Sequence, residues 1–169
     1  RAGNDVQVSM AGDPLTLPTD AAASLRRAAD AGVAISEATD PPGAVDLAID
    51  ALLGLGATRE PEGAIALLVR SLNATPCPLL AVDLPSGLAA DTGALLGASA
   101  VRATHTLALL SLKPGLFTAM GREQAGALWF DDLGCGVQAS ALMPRAQLGD
   151  AASAQHLRPA RGHAGPGPR

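Results

Sequence analysis

Two acidic residues stand near the ends of apolar runs. In VDLAIDALLGLG (residues 45–56), Asp50 interrupts an apolar stretch that runs into Gly54-Leu55-Gly56. In LLAVDLPSGL (residues 79–88), Asp83 closes an apolar stretch, and Pro85-Ser86-Gly87 follows. A single strand-end Asp is often no more than the cap of the next helix. Two of them, each followed by a glycine turn, argue for more. If the two strands are neighbours, both carboxylates face one crevice, and Ser86, three residues past Asp83, can turn its hydroxyl back toward it. In open parallel sheets ligands bind at the carboxyl ends of strands, near a reversal of strand order. Oxygen ligands without clustered His or Cys suit a hard cation. One carboxylate, one hydroxyl and some backbone carbonyls suit a monovalent ion such as potassium, by the coordination logic of potassium filters.

The other reactive side chains form no such set. Gly54-Leu55-Gly56 fits neither GxGxxG nor the P-loop pattern. Ser86 lies in PSG, not in a GxSxG elbow, and no Ser–His–Asp grouping is legible. His105 falls in an apolar strand and is expected to be a packed core or edge residue, while His156 and His163 lie near the C-terminus. Cys77 and Cys135 have no metal-ligand spacing and are expected as small buried hydrophobes. Lys113 is the only lysine. It stands just past a strand, either as a solvated strand-end residue or as a group that tunes the acid or binds phosphate.

These residues need a scaffold. Alternation over residues 6–10 predicts a strand, residues 21–31 a helix stopped by Gly32, and residues 33–36 a short strand. The apolar run over 45–53 predicts a buried strand, 62–73 a helix, 79–83 the next buried strand, 104–111 another, and 126–130 a last one. Asp40-Pro41-Pro42-Gly43 reads as a loop. Strands alternating with helices predict an α/β fold: a Rossmann-like three-layer α/β/α sandwich around a mostly parallel sheet. Beyond about Met143 the periodicity decays. Residues 1–143 are expected as the domain, and 144–169 as a linker or tail.

Composition narrows the function classes. Hydrophobic residues make up 48% of the 169, so the chain is not of the disordered class. Aromatics are only 2%, which argues against base-stacking recognition of single-stranded nucleic acid. Residues 1–144 carry 8 Lys+Arg against 15 Asp+Glu, a net of −7, and this acidic body speaks against a phosphate-backbone binder. Residues 145–169 carry 4 Arg against one Asp, a net of +3. No apolar run is long enough for a membrane span and no signal peptide is legible, so no membrane association and a cytoplasmic location are expected.

The order of these segments resembles a known family. VDLAIDALLGLG, then a helix ending near Asn73, then PLLAVDLPSGLAADTG, then a Thr-containing strand leading to LKPG, then DDLG, is similar to the YjeF-type N-terminal domain, the NAD(P)HX epimerase family. The resemblance covers residues 5–137, and AVDLPSGL with DTG behind it is its most specific part. It implies epimerisation of the R and S forms of hydrated NADH and NADPH. These are damaged cofactors, which an S-specific dehydratase, fused or separate, then restores. It also implies a homodimer and a bound potassium ion held by Asp50 and Ser86. The resemblance places Gly54, Leu55, Gly56, Ala57, Thr58, Arg59 and Glu60 along the dinucleotide hydrate, with Asp83 touching the same ligand. Asp83 is the expected catalytic acid and base, with Lys113 beside it as a further substrate contact.

The sequence departs from the family in three places. The Gly- and Asn-rich loop, of the kind GNNGGDG, does not precede the first strand. Arg1 to Asp5 read as the exit of a helix capped by Gly3, as though the chain enters a fold already under way, and impaired activity is expected from it. The second glycine turn reads GLGATR where the family tends toward GTGLSR, so Arg59 is kept and the small polar residue after Gly54 is not. At the other end, HAGPG (residues 163–167) stands where bifunctional members pass into a dehydratase domain. Two other readings compete: a non-catalytic binding or scaffold module of the same fold, and an unrelated nucleotide-binding α/β domain. The last would be favoured if the Asp50 and Asp83 strands were not adjacent.

Overall fold

The computed structural model describes residues 3–37 and 43–135. The expected boundary at 143/144, the tail, and residues 40–42 of the expected loop lie outside the described residues.

The described residues form an α/β fold whose strands pair only in parallel, Rossmann-like as expected. Strand β1 (Gln7–Met10) leads through helix α1 (Thr19–Asp30) to β2 (Ala34–Glu37), and β1 and β2 pair in parallel as a two-stranded sheet. A four-stranded sheet follows: β3 (Ala48–Asp50), β4 (Leu79–Val82), β5 (His105–Leu109) and β6 (Ala127–Asp131), in that spatial order. Strand order therefore follows sequence across these four strands, and no reversal marks the site. Helix α2 (Gly63–Ala74) crosses from β3 to β4, and the short α3 (Gly121–Gln124) precedes β6.

The adjacency on which the site depends is present. Asp50 on β3 lies opposite Ala81 on β4 in a parallel ladder, so the carboxyl ends of both strands share one edge of the sheet. Strand β3 is much shorter than the apolar run 45–53 predicts. The reason is local: the Asp50 carboxylate accepts the Leu52 N–H (3.2 Å), and the Leu53 N–H is taken by Ser86 Oγ (2.9 Å), so the chain leaves the ladder at Asp50.

Apolar period fixes which face is covered. On α2, Ile65, Leu68, Val69 and Leu72 recur at helical spacing. Val69 meets Ala48, Leu79, Ala81, Val101 and Ala103, with Ile65, Leu72 and Cys77 packed around them. A second cluster joins Leu84, Leu88, Ala100, Ala108, Leu116 and Ala125. Both clusters cover the same face of the sheet, because Ala81 pairs with Thr106 in register. The crossover from β4 to β5 is irregular rather than helical, held by an antiparallel bridge between Leu88 and Leu95. Asn73 anchors it: its Nδ2 donates to the Ala100 carbonyl (2.9 Å), and its Oδ1 accepts the Arg102 N–H (2.7 Å).

The opposite face carries Ile49, Leu80, Leu107 and Trp129. Ile49 is 56% exposed and Trp129 63%, so among the described residues no third layer covers them. His105 is exposed on this face of β5, a strand paired on both sides, so it is neither the packed core nor the edge residue expected. Cys77 is partly buried as expected; Cys135 is exposed.

A candidate active site at the carboxyl ends of β3 and β4

Asp50 and Ser86 are both 1% exposed and bound to each other. The Ser86 hydroxyl donates to Asp50 Oδ1 (2.6 Å), and the Ser86 N–H donates to Asp50 Oδ2 (2.8 Å). Ser86 Oγ in turn accepts the Leu53 N–H, so one serine ties the turn after β3 to the turn after β4. Burial pushes the Asp50 carboxyl above the usual carboxylate range, against the lowering effect of the Ser86 hydroxyl, the Ser86 N–H and the Leu52 N–H. The one ion pair among the described residues involves other groups, so Asp50 has no cationic partner there.

That ion pair joins Asp83 to Lys113. Asp83 Oδ1 also accepts the Leu109 N–H (3.2 Å), while Lys113 Nζ also donates to the Leu109 carbonyl (2.7 Å). Lys113 is 3% exposed and the Asp83 side chain 19%. Asp83 adopts φ +72°, a left-handed conformation uncommon outside glycine. Its neighbours close a γ-turn around it, with the Leu84 N–H bonded to the Val82 carbonyl (2.9 Å). The second oxygen, Oδ2, looks toward Gly54: a Cβ built there would lie 4.0 Å away.

The segment 54–60 is mostly solvent-exposed, with Ala57 partly buried. A turn bond from the Ala57 N–H to the Gly54 carbonyl (3.1 Å) shapes its first half. Gly54, Leu55, Gly56, Thr58 and Arg59 line its open side. Glu60 is tied elsewhere: its Oε1 accepts the Ala98 N–H (3.0 Å), which pins the segment to the β4–β5 crossover. The structure therefore brings Asp50 to Ser86, Asp83 to Lys113, and Gly54 to Asp83. Among the described residues no three His, Cys, Asp or Glu side chains gather as a metal cluster.

The two glycines of the motif prove to serve the chain itself. Gly87 has φ +92°, and a Cβ there would stand 2.8 Å from the Ser99 carbonyl. Gly93, of DTG, has φ +70°, and a Cβ there would stand 2.1 Å from the Thr118 carbonyl. Only glycine lets these backbones approach. Lys113 stands beside Asp83 as the sequence suggested; what sequence reasoning missed is that both are tied to Leu109 and that the lysine is buried.

A parallel sheet with two carboxylates and a serine at adjacent strand ends defines an α/β domain of the Rossmann-like class. The comparison with known families narrows this. The profile described as YjeF-related protein N-terminus matches residues 1–115, and the chain belongs to that family. A bifunctional NAD(P)H-hydrate repair enzyme from Escherichia coli (strain K12) is 49% identical over 67 residues, covering 40% of this chain and 13% of that protein. The repair enzyme of the same description from Vibrio cholerae is 39% identical over 133 residues, 78% of this chain and 27% of that protein. An NAD(P)H-hydrate epimerase from Weissella koreensis is 36% identical over 67 residues, 40% of this chain and 30% of that protein. The chain thus spans less than a third of the length of each of these relatives. Among the described residues no helix is long and apolar enough to cross a membrane.

Proposed function

We propose that the chain carries epimerisation of the R and S hydrates of NADH and NADPH. The observation behind this reading is the partnering of the two strand-end carboxylates on adjacent strands, Asp50 with Ser86 and Asp83 with Lys113, in a chain of this family. The names of the relatives support the substrate class.

Inversion at the hydrated carbon requires the hydroxyl to leave one face and return to the other. One proton passes to the departing oxygen and is recovered from the returning water, so the balance is zero. Asp83 Oδ2, the oxygen facing the Gly54 turn, is the atom placed to exchange that proton. The exposed side of segment 54–60 is the surface along which the dinucleotide lies.

The potassium ion belongs to this proposal too. Asp50 suits one: it is a buried carboxylate without a cationic partner among the described residues, and three hydrogen bonds leave part of its acceptor capacity open. Asp50, Ser86 and a nearby backbone carbonyl such as that of Leu53 would hold the ion. When bound, it supplies positive charge that keeps Asp50 ionised and fixes the two turns. The same reading includes a cytoplasmic homodimer and a dehydratase, fused or separate, as the consumer of the S form.

The test is a coupled assay. Purified R-NADHX is mixed with the chain, potassium and an S-specific dehydratase. A parallel sample carries the chain extended by the Gly- and Asn-rich loop of the family. The expected result is faster recovery of NADH, lost in Asp83→Asn. No acceleration by either form would overturn the reading.

A further inference from the structure

Both strands that flank Asp83 end in the same uncommon way. Strand β4 turns at Asp83 (φ +72°), where the Leu84 N–H meets the Val82 carbonyl at 2.9 Å. Strand β5 turns at Leu110 (φ +61°), where the Ser111 N–H meets the Leu109 carbonyl at 2.7 Å. These are two γ-turns with positive φ at residues other than glycine, a conformation that persists only where surrounding contacts hold it. They sit side by side, since β4 and β5 are paired and the Asp83 N–H itself bonds the Leu107 carbonyl (2.7 Å).

Lys113 is the side chain that locks the two together. Its ammonium touches Asp83 Oδ1 from one turn and the Leu109 carbonyl from the other. With the Leu109 N–H on the same Oδ1, that oxygen carries two donors, and Oδ2 is left to face Gly54. At 3% exposure, Lys113 presents no open face to a ligand.

We infer that Lys113 is a positioning residue: it fixes the rotation of the Asp83 carboxylate so that Oδ2 alone is presented to the ligand bound along 54–60. It does so without touching that ligand. This rests on the epimerase reading for what the ligand is, but not for the geometry.

A kinetic arm and a spectroscopic arm test it. In the coupled assay, Lys113→Met lowers kcat by about 100-fold, the cost of misplacing a reacting group by about an ångström, with KM within threefold of the parent. Lys113→Arg recovers part of kcat. A rise in KM with kcat kept would mean that Lys113 contacts substrate, and unchanged kinetics would mean that it positions nothing; either overturns the inference. For the second arm, lysine-selective nitrogen-15 labelling gives a single side-chain signal, because the chain has one lysine. A slowly exchanging ammonium whose protection is lost in Asp83→Asn supports the inference. A signal averaged with solvent overturns it. A protected ammonium in a chain that does not epimerise sinks the epimerase reading and leaves the clamp in place.

Discussion

Ser86→Ala is the sharpest test of the core of the site. The hydroxyl donates to Asp50 Oδ1 at 2.6 Å and accepts the Leu53 N–H at 2.9 Å, in a place 1% exposed to solvent. Removing it deletes a hydrogen bond to a carboxyl group, worth about 1.5–3 kcal/mol if the acceptor is ionised. It also leaves the Leu53 N–H without its acceptor, at about 1 kcal/mol for a partly buried donor. The loss should therefore be about 3 kcal/mol, a large share of the ~5–15 kcal/mol available to a domain. Urea unfolding followed by far-ultraviolet circular dichroism measures it as a drop in midpoint at constant slope. There is a second signature. The Ser86 bonds lower the Asp50 pKa against the dominant effect of burial, so the variant should hold its Asp50 proton to still higher pH. A loss below about 1 kcal/mol would mean that water replaces the hydroxyl, and the buried Asp50–Ser86 pair would no longer explain how the two turns are joined.

Three more outcomes are expected. Because burial raises the Asp50 carboxyl in the native state, the native chain binds more protons than the unfolded one above the ordinary carboxylate pKa. Without potassium, the contribution of Asp50 to stability should thus be fullest below about pH 4 and be lost as pH rises from there through the raised native value. Thermal melts should show potassium stabilising more at about pH 8 than at about pH 4, and Asp50→Asn should abolish the difference. Gly93→Ala should cost about 4 kcal/mol by chemical denaturation, combining a left-handed φ with a clash against the Thr118 carbonyl. Finally, the apolar face that no described residue covers predicts association of the chain with itself in light scattering. Trp129→Ser with Ile49→Thr should raise the concentration at which it sets in.

Much of the site was legible because each strand ends where an acid breaks an apolar run. Asp50, Asp83 and Ser86 stood out by type and spacing alone, and α2 lies within one residue of the span its periodicity predicts. The rest depended on long-range geometry. Nothing local in LKPG says that Lys113 folds back onto Asp83, since the contact spans thirty residues and is set by the β4–β5 pairing. Nor does AVDLPSGL announce a positive φ at Asp83, a position where composition would place a simple strand end. Nor do the PSG and DTG motifs say why their glycines are needed: Gly87 and Gly93 make room for backbone packed against them. The expected strand 45–53 was cut short because the backbone N–H groups of Leu52 and Leu53 bond to side chains rather than to the sheet.

The two carboxylates are partnered in opposite ways, and this separates their roles. Asp50 is bound at both oxygens by Ser86, is 1% exposed, and has no cation beside it among the described residues. A group so held cannot swing toward a reacting carbon, but it can balance the charge of an ion. Asp83 has one oxygen saturated, the other open toward the Gly54 turn, and a buried ammonium at its back. It is the one of the two that can exchange a proton with something outside the protein. Neutral amides at the two positions should therefore fail differently in the coupled assay. Asp83→Asn keeps the γ-turn, since Asn tolerates positive φ, and should lose turnover by at least about 100-fold at any potassium concentration. Asp50→Asn should lose the potassium dependence of the rate and retain more of the rate at low potassium than Asp83→Asn does. If Asp50→Asn proves the more damaging at every potassium concentration while still folded, the assignment is inverted and the buried acid is the one that moves the proton.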